Sequence, residues 1–150
     1  MPANIDPIYS RTADIQSGGG AVIGPNANTA QDGTGSNITA VYQADPTNGG
    51  YLQRLRFRAA GSPVATVARI FICSVTGAFT PGTSNTSANT WLWDEVTLPA
   101  VTLSQVAQSN PLELPMNLPM PPGYRILVAF GTSTGSAGTG WVVTAAAGKY

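Results

Sequence analysis

The stretch YLQRLRFRAA, residues 51–60, alternates apolar side chains with arginines. In an extended strand, successive side chains point to opposite faces of the sheet. Strict alternation puts one set, Tyr51, Gln53, Leu55, Phe57 and Ala59, on one face and the other set, Leu52, Arg54, Arg56 and Arg58, on the opposite face. The stretch therefore predicts a β-strand whose apolar face is buried in a core. Its arginines form an outward row with a spacing of about 7 Å.

The rest of the chain repeats short apolar runs between turn residues. Its 17 Gly and 12 Pro interrupt every candidate helix of useful length. Further candidate strands lie at 36–44, 64–75, 90–98, 99–106, 112–118, 124–132 and 140–148. This spacing predicts an all-β fold, a single antiparallel sandwich or barrel of eight or nine short strands, with a jelly roll favoured. An immunoglobulin-like sandwich is the alternative, although it would lack the cysteine pair of antibody domains.

The first 35 residues differ in composition from the rest. A short candidate strand in DPIYSRTADIQ (6–16) is followed by the Gly- and Asn-rich segment 17–35, which has little to bury. Loops of this length are uncommon inside a compact domain unless they have a function. We therefore predict an extended N-terminal arm or set of loops at 1–35 and a β-sandwich domain at 36–150.

A proline series marks one strand as an edge. Pro111, Pro115 and Pro119 lack the N–H that a sheet ladder requires, while the apolar residues between them keep a period of two. Such a strand buries one face and resists pairing on its free side. We predict a blunted edge strand, or an extended crossover, in this segment.

Composition excludes several function classes. Charged residues make up only 9% of the chain, and seven cations balance seven anions, so no basic field suits a general nucleic-acid binder. Cys73 is the single cysteine and there is no histidine, which rules out an internal disulfide, Cys- or His-based metal sites and the usual catalytic triads. We expect no enzyme activity, no cofactor and no nucleic-acid or membrane partner. The chain shows no signal peptide and no apolar run of membrane-spanning length, so we expect synthesis in a cytoplasm.

The row of Arg54, Arg56 and Arg58 allows three interpretations. It could be a solvated face, a docking face for carboxylates on a partner protein, or a phosphate or nucleic-acid site. Arg69 would extend the row only if its strand pairs alongside with the same facing.

The tryptophans also allow two interpretations. Alternation places Trp91 and Trp93 on one face of a strand, with Leu92 and Asp94 opposite. Paired tryptophans more often belong to a core or an interface, but together with Trp141 they could form a sugar-stacking platform. Asp94 and Glu95 would point to opposite faces, so they are poor partners for a two-carboxylate glycosidase mechanism.

Several segments together resemble small structural proteins of tailed bacteriophages, of the capsid decoration or cement type. They are MPANIDPIY (1–9), LRFRAAGSPVATVARIFI (55–72), WDEVTLPAVTLSQV (93–106), LPMPPGYRILVAFGT (118–132) and VVTAAAGKY (142–150). Their order runs through nearly the whole chain.

The resemblance implies a β-sandwich that resides on the capsid exterior of a virion, binds the major capsid protein and forms homo-oligomers, often trimers. It implies no catalytic residues. In this interpretation the contacts to capsid protein or sister subunits fall to Arg54, Arg56, Arg58 and Arg69. A tail, baseplate or fibre component, or a glycan-binding module using the three tryptophans, remains the alternative.

Overall fold

The computed structural model describes residues 10–18, 22–24 and 26–150. Eight β-strands account for nearly all of its regular structure, which confirms the all-β prediction. In chain order they are β1 (Thr12–Gln16), β2 (Thr39–Gln43), β3 (Gly50–Ala60), β4 (Thr66–Cys73), β5 (Thr90–Leu98), β6 (Leu112–Met120), β7 (Arg125–Phe130) and β8 (Gly140–Lys149).

The strands form two four-stranded antiparallel sheets that pack face to face. Sheet A has the order β1-β8-β3-β6, and sheet B has the order β2-β7-β4-β5. Successive strands therefore alternate between the sheets until β4 and β5, which form a hairpin-like pair. This is the strand order of a jelly roll, as the spacing of the segments predicted.

The core between the sheets is formed by the inward-pointing side chains of the central strands. Leu55 and Phe57 of β3 are fully buried there, as the opening stretch predicts, and so is Trp141 of β8. From sheet B, Ile70 and Val128 meet them. Side chains alternate between the two faces of a strand. A register shift of one residue would therefore turn the inward apolar side chains of that strand towards the outer face of its sheet.

A bulge in β3 changes the facing of its first residues. Leu52 and Arg54 pair with the consecutive residues Ala147 and Ala146 of β8, so Gln53 is an extra residue. As a result Leu52 is buried while Gln53 is exposed, the reverse of their predicted facing. A bulge shifts the alternation by one position, which strict period two cannot anticipate.

The proline-rich strand β6 is an edge of sheet A, as predicted. It pairs only with β3, and Pro115 and Pro119 lie opposite Arg54 and Tyr51. Its alternating apolar residues pack on the core between the sheets, whereas its prolines are exposed. Since proline removes the donor that a further strand would use, this edge is blunted.

Sheet B is apolar on its outer face too, and loops cover that face. Phe71 and Leu127 point away from the core yet are fully buried, in a second cluster with Ile38. The covering loops are residues 26–38 and 74–89. The Asn85 side chain holds them together, because its amide donates hydrogen bonds to the carbonyls of Gly33 (2.7 Å) and Gly35 (2.9 Å).

Arg125 fastens the second of these loops to the sheet. Its buried guanidinium donates hydrogen bonds to the carbonyls of Val75 and Gly77, and it lies 5.5 Å from the centre of the Phe79 ring. A fixed planar donor suits this task, since one group satisfies two loop carbonyls that would otherwise be buried without partners. Sheet B is thus covered on both faces, whereas the outer face of sheet A is bare of any loop from the described part of the chain.

One segment prediction needs correction. Residues 99–106, predicted as a strand, form a loop, because Pro99 ends β5 and residues 102–108 are exposed with no strand beside them. The segment 1–35 contains β1, which pairs with β8 inside sheet A, and residues 26–35, which belong to the loop cover of sheet B. The remainder of the predicted arm, residues 1–9, 19–21 and 25, lies outside the described residues.

A glutamine closes one side of the sandwich. The Gln16 side chain of β1 donates to the carbonyl of Gln43 in β2 (2.8 Å) and accepts from its N–H (2.9 Å). These two bonds join an edge of sheet A to an edge of sheet B. The opposite side of the sandwich, where β6 and β5 end the two sheets, has no such staple within the described part of the chain.

Tyr42 of β2 is buried beside this staple, and its ionisation is suppressed. Burial raises the pKa of Tyr42 to about 12, and the negative charges of Asp14, Tyr150 and Asp45 act in the same direction. Its hydroxyl has no hydrogen-bond partner among the described residues. The phenol is therefore held neutral in a buried site where none of the described residues forms a hydrogen bond with its hydroxyl.

Replacing Tyr42 by Phe should remove a loss of stability at high pH. An unfolded tyrosine ionises near pH 10, so between that pH and about 12 the unfolded state loses a proton that the folded state keeps. The contribution of Tyr42 is complete below pH 10 and falls as pH rises towards 12, by at most about 2 kcal/mol. Urea unfolding of both proteins across this range measures the difference.

The two proteins should also be compared at neutral pH. There Tyr42→Phe should be at least as stable as the wild type, since it removes a buried hydroxyl without a partner. A loss of about 1 kcal/mol or more at neutral pH would show that the hydroxyl is satisfied after all.

Candidate functional site

The bare outer face of sheet A carries the predicted arginine row. Arg54, Arg56 and Arg58 are all exposed on β3, between β8 and β6. We call this row, with Glu113 of β6, the arginine face. The alternation predicted for residues 54–58 is correct, because the bulge lies before it.

The neighbours of the row are short or apolar. Arg54 lies opposite Ala146 on β8, Arg56 opposite Thr144 and Arg58 opposite Val142. Small side chains on the central strand leave the arginine stems lying over a flat surface with their guanidinium groups free to reach a partner.

One carboxylate serves two of the arginines. The Nε atoms of Arg54 and Arg56 lie 3.6 and 3.7 Å from the two oxygens of Glu113, and all three side chains are 40–49% exposed. Exposed pairs at these distances contribute only about 0–1 kcal/mol. Arg58 has no carboxylate within ion-pair distance among the described residues, so the face keeps a net charge of +2.

The Arg58 end of the face is concave. An open cleft of about 540 Å³ is lined by Arg56, Arg58, Val142 and Thr144. A neighbouring cleft of about 520 Å³ separates Arg58 from the loop Leu103–Ser109. Guanidinium groups beside aliphatic walls suit a carboxylate carried on an extended segment of a protein, because the fork geometry pairs with both carboxylate oxygens.

Arg69 does not extend this face. It lies on β4 in the other sheet, only 11% exposed, and its Nε is 2.8 Å from Glu95 Oε1 on the neighbouring strand. Its Nη1 donates to the carbonyl of Asn28 at 3.1 Å. Arg69 thus ties the loop cover to β5. It could extend the arginine row only if β4 paired alongside β3 with the same facing, and β4 belongs to the other sheet.

The three tryptophans separate into two environments. Trp141 is 1% exposed in the core and unavailable to a ligand, so a platform of all three is ruled out. Trp91 and Trp93 are 43% and 49% exposed on β5, the free edge of sheet B, with Leu92 exposed between them. Neither Trp91 nor Trp93 is a core residue.

The facing predicted for β5 is also interrupted by a bulge. Trp91 pairs with Ile72 and Leu92 with Phe71, but the next pair is Asp94 with Ile70, so Trp93 is an extra residue. We call Trp91, Leu92 and Trp93, with the adjoining Asp94 and Glu95, the tryptophan edge. Its alternation holds up to Leu92 and shifts by one residue after it.

The acidic residues of this edge do not form a catalytic pair. Asp94 accepts a hydrogen bond from the backbone N–H of Glu95 (2.8 Å), and Glu95 is bound to Arg69. Among the described residues no cluster of three or more Asp, Glu, Cys or His could hold a metal ion. The geometry at both surfaces therefore fits binding through side chains.

Comparison with known proteins gave no match to any family model, curated protein or solved structure. Within the described residues, no helix has the length and apolarity to cross a membrane.

Removing Arg69 should destabilise the fold, whereas removing Arg58 should not. Arg69→Ala leaves a loop carbonyl and Glu95 without their donor, which costs about 1–3 kcal/mol. Arg58→Ala alters an exposed side chain and should change the free energy of unfolding by less than about 0.5 kcal/mol. Urea unfolding measures both; equal effects would contradict the separation of Arg69 from the arginine face.

Proposed function

We propose that this chain is a structural protein of a tailed-phage virion that decorates the capsid exterior and stabilises the shell. It binds the major capsid protein without covalent chemistry, acts as a homo-oligomer and is not an enzyme. The observation that carries the proposal is the bare arginine face on a sandwich whose other sheet is closed by its own loops. The sequence resemblance to decoration and cement subunits supports the virion setting.

The physical demands of such a subunit match the described surfaces. A shell is stabilised by many copies that each bridge neighbours, so modest contacts are multiplied through avidity. The core between the sheets gives a rigid body, and the guanidinium groups offer directional contacts to carboxylates. A surface with few charges elsewhere leaves little to repel neighbouring copies.

A tail, baseplate or fibre component is the nearest alternative from the same setting. Mass spectrometry of separated heads and tails distinguishes the two. The proposal expects stoichiometric copies in heads, whereas copies found in tails and missing from heads would assign the chain to the tail.

Loss of arginines from the face should weaken shell binding. We expect Arg54→Ala with Arg56→Ala to fold normally, because the ion pairs it removes are exposed. Its binding to heads stripped of the protein should fall by about tenfold or more, and the wild type should itself bind less at high salt. Co-sedimentation with stripped heads gives the bound copies per head.

Glu113→Gln provides the opposite change. It removes the carboxylate that both arginines share, so an acidic partner should bind this variant more tightly than the wild type. The matched control for the double arginine variant is Arg11→Ala with Lys149→Ala, which also removes two positive charges, one just before β1 and one at the end of β8. If the double arginine variant and this control bind stripped heads equally well, the arginine row is only a solvated face.

A glycan-binding module is a second candidate, favoured by one observation. Trp91 and Trp93 are about half exposed next to the carboxylate of Asp94, and sugar sites combine aromatic faces with carboxylates. This candidate expects binding on a glycan array that Trp93→Ala abolishes while the unfolding midpoint stays unchanged. An array without binding by the wild type would eliminate it.

A further inference from the structure

Eight of the fourteen charged residues of this chain lie at two surfaces. The arginine face has three cations and one anion, a net charge of +2. On sheet B, the tryptophan edge has Asp94 and Glu95, of which Glu95 is paired with Arg69. The loop carrying Asp32 adjoins the same strand, since Gly33 packs against Thr90 at the start of β5.

Asp32 adds to the acidic side. The Thr34 hydroxyl (2.6 Å) and backbone N–H (3.1 Å) both donate to its Oδ1 and lower its pKa, so the carboxylate is charged. With Asp94, Glu95 and Arg69, this region has a net charge of −2. The two surfaces are therefore equal and opposite in charge, on a chain whose total is zero.

The tryptophan edge is also apolar. Trp91, Leu92 and Trp93 are consecutive and each is 37–49% exposed. An aromatic face attracts a guanidinium held over it, in addition to the attraction from a neighbouring carboxylate. The edge thus offers arginine both kinds of contact within four consecutive residues.

Strand addition is disfavoured at this edge. The bulge at Trp93 breaks its regular ladder, and the Asp94 side chain occupies the N–H of Glu95. Bulges and charged side chains are the devices by which edge strands avoid pairing with a further strand. A partner of this edge is therefore held by side chains, which suits a flat face more than an extended peptide.

We propose that the partner of the tryptophan edge is the arginine face of a second copy of this chain. Guanidinium groups of one copy lie on Trp91 and Trp93 of the next and pair with Asp94. This deepens the proposed function by naming the sister contact within the homo-oligomer, and it rests on that function for the virion setting alone. In a closed ring the arginine face of each copy is occupied by its neighbour, so the loss of shell binding expected for Arg54→Ala with Arg56→Ala follows from loss of the ring, because a single subunit lacks avidity.

The contact joins two different surfaces and is heterologous. Such a contact produces closed rings or open filaments, whereas a twofold contact stops at a dimer. The tryptophan edge lies at the β5–β6 side of the sandwich and the arginine face on the broad side of sheet A. Because these sides adjoin, successive copies turn, which favours a small ring; the trimer that the resemblance implies is one such ring.

Reversal of charge on each surface in turn tests the contact. Sedimentation velocity at low and high salt should show a concentration-dependent oligomer of the wild type that is weaker at high salt. Arg56→Asp and Asp94→Arg should each weaken self-association by about tenfold or more. The double variant carrying both changes should recover most of the wild-type association, since the complementary pair is restored with its direction reversed.

Controls separate the contact from folding and from net charge. Asp94→Asn keeps the acceptor for the Glu95 N–H and should still weaken association, which excludes a local folding defect. Thr47→Arg and Thr47→Asp alter charge at an exposed turn between β2 and β3, outside both surfaces, and should leave association unchanged. A monomeric wild type, an unaffected Arg56→Asp, or a double variant without recovery would each overturn the proposal.

Binding to stripped heads distinguishes this inference from the proposed function. A protein that is monomeric in solution and on heads yet occupies them fully overturns the sister contact and keeps the decoration role. A protein that forms the salt-sensitive oligomer, with recovery in the double variant, but never binds heads keeps the contact and overturns the decoration role.

Discussion

Sheet B is apolar on both faces, and the rest of the structure depends on covering it twice. Ile70 and Val128 face sheet A, while Phe71 and Leu127, their neighbours in sequence, face the other way and are buried as well. The second sheet covers one face, and only the chain's own loops are available for the other. Those loops are long for this reason. With those loops lying on sheet B, no loop among the described residues covers the arginine row on the outer face of sheet A.

The polar composition has a structural use that the sequence alone does not reveal. Neutral Asn, Thr and Ser side chains predict a wettable surface, but several of them hold loops in place. Asn28 accepts from the N–H of Ala30 and donates to the carbonyl of Thr34, and Asn85 bridges two glycine carbonyls. A loop lying on an apolar sheet has backbone groups that water cannot reach, so short amides satisfy them. The segment 17–35, interpreted as having little to bury, in part buries sheet B.

The number and spacing of the segments favoured the jelly roll, and period-two alternation predicted most of the strands and the outward arginines, because it depends on each strand alone. It failed where a neighbour sets the register. The bulges at Gln53 and Trp93 arise from pairing with strands far away in the sequence, and no local pattern marks them. The environment of Arg69 likewise depends on the sheet to which its strand belongs, and Trp141 is buried because β8 is central. The sequence therefore indicated which side chains alternate along each strand, but not which residues of different strands lie next to each other.

A surface with few charges gives each of them more influence over orientation. Of the seven cations, Arg69 and Arg125 are bound to the chain's own loops, and Arg54, Arg56 and Arg58 account for most of the remainder. At physiological salt the field of an exposed charge extends only about 8 Å, so the neutral surface around the row offers no competing attraction. On a densely charged protein, a partner could slide between many equivalent ion pairs. Here three exposed arginines follow one another along a single strand, so the cations are concentrated at one place, and low total charge becomes a source of specificity.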